Sequence, residues 1–236
     1  MKRRFREDFK TMHNVFDEFT NRTIFKLISE GYISGLESPI SIGKEANIFS
    51  AKRKDGSRVI VKIYRLEACD FNRMYDYIKE DPRYGGIKGK KRKVIFAWVQ
   101  REYRNLLIAR EANVSVPTPL TFKNNVLVLE FIGKADKVAP KLGVEPPKNQ
   151  KEFFNKVIDN MKKLYKAGLV HADLSQFNIL NNDGEPVLID FSQATVLDSS
   201  RTEEFIRRDV RNVCNFFKKL GLKVDEGKTL KKIQKT

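Results

Sequence analysis

The strongest constraint on this chain lies between residues 171 and 190. It begins His171-Ala172-Asp173-Leu174-Ser175-Gln176-Phe177-Asn178. Two short apolar runs follow, Ile179-Leu180 and Val187-Leu188-Ile189, with a turn at Asn181-Asn182-Asp183-Gly184 between them and Asp190 closing the second. Asn, Asp and Gly clustered between apolar runs signal a hairpin, which folds its two arms back on each other. Asn178 and Asp190 are equidistant from Gly184, so a turn centred there brings them roughly opposite, with Asp173 just upstream of the same mouth. A carboxylate and an amide oxygen suit a hard cation such as Mg²⁺, which keeps water and phosphate oxygens as its other ligands. The pattern points to phosphoryl transfer.

The rest of the chain must hold such a site, and 236 residues suffice for one large domain or two modest lobes. No apolar run approaches the roughly 18 to 20 residues a membrane helix needs, and the N-terminus has no apolar signal core, so a soluble, non-secreted protein is expected. Cys69 and Cys214 are too few and too isolated for a disulfide framework or a zinc site, which makes a reducing cytoplasm the expected compartment. The net charge of +16 favours polyanionic partners such as nucleic acid, against the alternative of a lysine-rich solvated surface.

Upstream, Phe5, Phe9, Met12, Phe16 and Phe19 recur at helical spacing and are expected to pack on the body. A second helix is expected over residues 22–30, with Gly31 as its cap. Residues 39–64 read as strand, glycine turn, strand, turn and strand. Lys62 falls inside the β-branched run Val59-Ile60-Val61-Lys62-Ile63, where burial demands an anionic partner. A helix expected over residues 95–110 supplies a candidate: Glu102 falls on the apolar stripe of Ile95, Trp98, Val99, Leu106 and Ala109. The competing assignments pair Glu102 with a neighbour such as Arg101 or set it at the edge of the stripe.

Between these elements, residues 66–93 show no sustained period and carry Lys88-Gly89-Lys90-Lys91-Arg92-Lys93; they read as a mobile basic loop, open to RNA contact, an import signal or plain solvation. Val126-Leu127-Val128-Leu129 is a buried strand running into Glu130-Phe131-Ile132-Gly133, a connector whose backbone suits adenine binding. Helices are expected over residues 150–167 and 203–220, with a short basic tail after the second. The organisation is therefore α+β and bilobal: an N-terminal helical extension (1–36), a strand-rich lobe (37–132) and a mainly helical lobe (133–236).

These motifs together resemble those of the RIO family of atypical serine/threonine protein kinases, and of its first subgroup in particular, over about residues 22–221. The resemblance is carried by Ser41-Ile42-Gly43-Lys44-Glu45-Ala46-Asn47 as a phosphate loop, Val61-Lys62 with Glu102 as an ion pair, the connector at Glu130, and the opening stretch. It implies a protein-kinase-like fold with a truncated C-terminal lobe. It implies ATP and Mg²⁺, with Mn²⁺ as the alternative ion, held by Ser41, Gly43, Lys44, Glu45, Lys62, Glu102, Glu130 and Ile132 for the nucleotide and by Asn178 and Asp190 for the metal. Asp173 would be the catalytic carboxylate, with Asp190 as a second catalytic group in members that hydrolyse ATP through an aspartyl phosphate. Family members are associated with small ribosomal subunit maturation, which implies pre-ribosomal particles and rRNA as partners.

Departures from ordinary protein kinases limit that inference. The phosphate loop has one glycine, so Ser41, Lys44 and the loop amides must compensate. Ser175 stands where many such kinases place a lysine, Ala172 replaces the arginine that reads a phosphorylated loop, and no Ala-Pro-Glu follows Asp190. The peptide-substrate platform is absent and the protein substrate is left open. An aminoglycoside-kinase-type phosphotransferase also uses a His-x-Asp loop, but the phosphate loop and the short C-terminal lobe argue against it.

Overall fold

The computed structural model describes residues 16–87 and 90–235. Phe5, Phe9 and Met12 of the expected first stripe, with Lys88 and Gly89 of the basic run, lie outside the described residues.

The first described helix, α1 (Glu18–Ser29), starts four residues earlier than expected because Asp17 caps it, accepting from the Thr20 amide at 3.0 Å. Gly31 ends it with φ +82°; its amide and that of Tyr32 return to the Ile28 and Leu27 carbonyls, a Schellman closure. Five antiparallel strands follow in the spatial order β1 (Gly35–Ile42), β2 (Ala46–Lys52), β3 (Arg58–Tyr64), β5 (Val126–Glu130), β4 (Pro119–Lys123). Side chains alternate across the pleat, so Val59, Val61, Ile63, Val126 and Val128 pack with Ile24 and Leu27 of α1. Ile60, Lys62 and Tyr64 therefore face the other side, toward helix α3 (Lys91–Glu111).

Residues 66–93 correct the expectation of an irregular loop. They contain helix α2 (Phe71–Glu80) and a 3₁₀ turn (Pro82–Tyr84), and α3 already starts at Lys91. Asp70 caps α2, accepting from the Arg73 amide at 3.1 Å, and Phe71, Met74, Tyr75 and Ile78 supply a helical apolar spacing that the surrounding charges and glycines obscure. Helix α3 is buried on most of its circumference, including Arg101, Glu102 and Asn105. Arg101 does not pair with Glu102. Its Nε donates to Asp81 Oδ2 at 2.9 Å, and Asp81 also takes two bonds from the Arg83 guanidinium.

After β5 the chain crosses to the second lobe through the hairpin of β6 (Gly133–Lys134) and β7 (Lys137–Val138). Gly133 has φ +153°, and a Cβ there would sit 2.1 Å from the Lys137 carbonyl oxygen, so only glycine fits. The second lobe comprises helices α4 (Gln150–Lys166) and α5 (Thr202–Lys219) with two small sheets between them. One pairs β8 (Leu169–Val170) with β11 (Thr195–Val196), the other β9 (Ile179–Asn182) with β10 (Glu185–Leu188). The end of the chain is also corrected: the expected tail forms helix α6 (Glu226–Gln234), capped by Asp225, with Leu230 and Ile233 buried against α4 and α5. Among the described residues no helix is long and apolar enough to cross a membrane.

The Asp81 and Arg101 side chains are both 0% exposed, so neither charge can be left alone at low cost. Asp81→Ala is expected to lower stability by about 3–5 kcal/mol, measured by chemical denaturation.

Candidate active site

The site is assembled from four elements that meet between the lobes. Lys62 and Tyr64 are two residues apart on β3 and share a face, so one carboxylate serves both: Lys62 Nζ donates to Glu102 Oε1 at 2.8 Å and the Tyr64 hydroxyl to Oε2 at 2.5 Å. Lys62 also donates to Asp190 Oδ1 at 3.0 Å. Burial works against the Lys62 charge, but Asp190 and Glu102 outweigh it and hold the ammonium well above the ordinary lysine range. Burial likewise opposes charge on Asp190, yet Lys62 and the Ser192 hydroxyl, 2.7 Å away, bring its carboxyl down to about 2.

The hairpin register differs from the sequence reading by one residue. Asp183 and Gly184 both have positive φ, +54° and +87°, forming a two-residue turn, so the strands pair Glu185 with Asn182 and Leu188 with Ile179. The symmetric partner of Asn178 is then Ile189, whose amide donates to the Asn178 carbonyl at 3.0 Å. Asp190 lies one step further on. A left-handed backbone at Asp190, φ +63°, redirects the chain there, and Asn178 and Asp190 still line one cleft. Asn178 spends its Nδ2 on the carbonyl and carboxylate of Asp173, at 2.9 and 3.2 Å, which leaves its amide oxygen available to a cation.

The cleft has a volume of about 540 Å³ and is lined by Ser41, Gly43, Glu45, Lys62, Glu102, Glu130, Ile132, Asn178 and Asp190 from the sequence-derived set. The sequence reading did not single out its apolar walls, Ile48, Ile60, Leu129, Leu180 and Ile189, which suit a flat base. Glu130 uses its side chain on the Thr118 amide, at 2.9 Å. Lys44 is a correction: it is exposed and does not line the cleft. Residues 44 and 45 share the tip of the tight turn in which the Gly43 amide donates to the Ala46 carbonyl at 3.0 Å, and of the two only Glu45 lines the cleft. A Cβ on Gly43 would meet that same carbonyl oxygen at 2.8 Å. Asp173 sits beside the lining rather than in it, reached through Asn178.

The loop that carries Asp173 is held from below by α5. Asp209, fully buried, accepts the Ala172 and Leu174 amides at 2.8 and 2.9 Å; Arg208 donates to the Ala172 carbonyl and Asn212 to that of Leu174. This clamp fixes Ala172 at φ +63°, a conformation an alanine adopts only when its surroundings impose it. Burial pushes the Asp209 carboxyl up to about 7 against the pull of those amides. Sequence reasoning missed Asp209, though the signal was the one that found Glu102: a carboxylate on the apolar stripe, here that of Phe205, Ile206, Val210 and Val213. Helix α3 grips the far side, with Arg101 donating to the Ser192 carbonyl and Asn105 to those of Phe191 and Ala194. His171 braces the loop as a buried neutral ring, its Nε2 3.0 Å from the Ile189 carbonyl and its edge against Phe191.

The geometry agrees with comparisons to known proteins. The model of the RIO domain family matches residues 47–229. The RIO-type serine/threonine-protein kinase Rio1 of Haloferax volcanii is 44% identical over 219 residues, spanning 93% of this chain and 76% of the relative. Its namesake in Methanocaldococcus jannaschii is 40% identical over 218 residues, 92% of this chain and 74% of the relative. The Rio2 kinase–ADP/Mg²⁺–phosphoaspartate complex from Chaetomium thermophilum superposes with a TM-score of 0.69 at 22% identity, covering 91% of this chain and 66% of that one, which is a likeness of fold.

Burial pushes His171 from its ordinary 6.5 down to about 4. The unfolded chain therefore takes up this proton first, and stability is expected to fall as pH drops from about 6.5 to about 4. His171→Gln, which keeps a donor for the Ile189 carbonyl and cannot titrate, is expected to lose less stability across that window in pH-resolved thermal denaturation.

Proposed function

The chain belongs to the RIO family, whose relatives are serine/threonine-protein kinases, and is a phosphotransferase; from that premise we propose that it transfers the γ-phosphoryl group of ATP to a serine or threonine hydroxyl, using Asp173 as the proton acceptor. The observation that carries this reading is the Lys62 ammonium, held between Glu102 and Asp190 at the floor of a cleft with apolar walls. A fixed cation beside an apolar slot suits a nucleotide: the base against Ile48, Ile60 and Leu180, the phosphates toward Lys62.

The residues present also fit a divalent cation. Asp190 engages Lys62 and Ser192 through Oδ1, leaving Oδ2, and Asn178 retains its amide oxygen; such a pair binds Mg²⁺ together with phosphate oxygens. When bound, the ion neutralises phosphate charge. Asp173 lies beyond Asn178, and burial together with the nearby Asp190 charge raises its carboxyl above the usual range, toward a better proton acceptor. In the transfer, the hydroxyl oxygen bonds to the γ-phosphorus, the bond to the leaving ADP oxygen breaks, and the hydroxyl proton passes to Asp173.

A second reading is favoured by Asp190 itself. Its side chain is 40% exposed although it is bonded to Lys62, and it is ionised at neutral pH, so a carboxylate oxygen is available to attack phosphorus. Attack of Asp190 on the γ-phosphorus would expel ADP and leave an aspartyl phosphate, which water then opens to free phosphate. The phosphoaspartate in the Rio2 complex motivates this route. The charge of +16 and the basic residues 88–93 support an RNA-containing partner, and the family resemblance points to maturing small ribosomal subunits.

Asp173→Ala is expected to lower turnover by about 10²- to 10⁴-fold while sparing ATP binding, measured by steady-state kinetics and nucleotide titration; full activity would remove Asp173 from the mechanism. Turnover of γ-labelled ATP with and without immature small subunits, scored for phosphoserine, acyl phosphate and free phosphate, separates the two readings. Stimulated phosphate release without protein labelling on serine supports the Asp190 route, whereas stable phosphoserine supports the kinase. Hydrolysis indifferent to the particles removes the ribosomal partner.

A further inference from the structure

Helix α2, in the stretch that connects β3 to α3, is linked by hydrogen bonds to the catalytic carboxylate through the Gln193 amide. Gln193 Nε2 donates to Asp173 Oδ2 at 3.2 Å. Its Oε1 accepts from two residues of α2, the Tyr77 hydroxyl at 3.0 Å and the Arg73 guanidinium at 3.1 Å. The donor-only Arg73 guanidinium and the acceptor-only Asp173 carboxylate settle which way the amide points. A flipped Gln193 would set its NH₂ against the guanidinium and its oxygen against the carboxylate, losing two hydrogen bonds at once, while the Tyr77 hydroxyl could serve either orientation. The orientation in turn disposes of one Asp173 oxygen: Oδ2 takes Gln193 and Asn178, and Oδ1 is left for an incoming hydroxyl.

Tyr77 is itself held by both lobes. Its ring stands edge-on to Trp98 of α3 with centroids 5.7 Å apart, and stacks on Phe205 of α5 at 5.8 Å. Arg73, by contrast, is exposed, and its charge also favours the ionised carboxylates of Asp173 and Glu45. Nor does the catalytic loop orient its carboxylate with a charge of its own, because Ser175 follows Asp173 two residues later.

We infer that Gln193 is a positioning residue for Asp173, and that Arg73 and Tyr77 of α2 set it. Asp173 Oδ2 then has its second donor, beside Asn178, only while α2 lies against both lobes, so the stretch between β3 and α3 controls the phosphoryl-transfer step rather than nucleotide capture. A partner that draws on α2 would change turnover without changing ATP affinity. The inference rests on the reading of Asp173 as the proton acceptor.

The test is a double-mutant cycle read as kcat and KM for ATP separately, with nucleotide affinity and melting temperature measured on each variant. Gln193→Ala is expected to lower kcat about tenfold, the loss of one hydrogen bond to a charged group, with ATP affinity unchanged. Tyr77→Phe is expected to lower kcat several-fold alone and to add nothing in the Gln193→Ala background, whereas Arg73→Ala is expected to add less there than alone, keeping only its direct charge on Asp173. Equal losses in both backgrounds, or a rise in KM for ATP in place of a fall in kcat, would overturn the relay. If Gln193→Ala unfolds, Tyr77→Phe, which keeps the ring and changes no charge, decides the matter: a several-fold fall in kcat at unchanged ATP affinity supports the relay, and an unchanged kcat overturns it. An inert Asp173→Ala beside a fully active Gln193→Ala overturns this inference alone, whereas an active Asp173→Ala overturns the reading beneath it.

Discussion

The structure depends on one ammonium group. Lys62 Nζ is taken out of water on the inner face of a β-sheet, an unfavourable move for a charge unless carboxylates meet it there. Two do, from opposite sides of the cleft. Glu102 comes from a helix of the first lobe and Asp190 from the end of a hairpin in the second, so the same cation that completes the strand-rich lobe also ties the lobes together. Removing Glu102 would leave Lys62 to Asp190 alone; removing Lys62 would leave two carboxylates facing each other across the cleft. Such a triad is specified by geometry more than by energy, because each charge is tolerated only when the other elements are in register.

Around that cation the second lobe is built to hold strained backbone still. Ala172 and Asp190 both adopt left-handed φ, and both are pinned: Ala172 by Asp209 and Arg208, Asp190 by Lys62 and Ser192. Asp209 lies on a helix that never reaches the cleft, and Arg101 and Asn105 grip residues 191–194 from a helix of the first lobe. Phosphoryl transfer requires little covalent chemistry of the protein and much positioning, and the buried polar contacts are concentrated where positions must not drift. His171, often a reacting group elsewhere, serves here as a neutral strut.

Residues 66–93 change meaning once their fold is known. Read as a chain of charges and glycines they suggest a loose basic loop. Folded, they form a capped helix whose tyrosine fits between Trp98 and Phe205, and this helix brings two donors to the amide beside Asp173.

Much of the site was legible in the residues because burial and periodicity are local. A lysine in an apolar strand and a carboxylate on a helical stripe each required a partner, and Asn-Asp-Gly between apolar runs required a hairpin; hence the bilobal α+β fold was legible in the pattern and Lys62 was a candidate partner for Glu102, with Arg101 as its competitor until the structure chose. What the tertiary structure decided concerns choices between near-equal neighbours. A hairpin's register turns on one residue of turn geometry, which moved the partner of Asn178 from Asp190 to Ile189. The direction of a side chain at a turn tip depends on how the turn closes, which left Lys44 outside the cleft. The choice of Asp81 over Glu102 as partner for Arg101, and the reach of Gln193 to Asp173, involve residues 20 positions apart in both cases. Their side-chain types set what must be satisfied, but only the packing of the helices sets which partner comes within hydrogen-bonding distance.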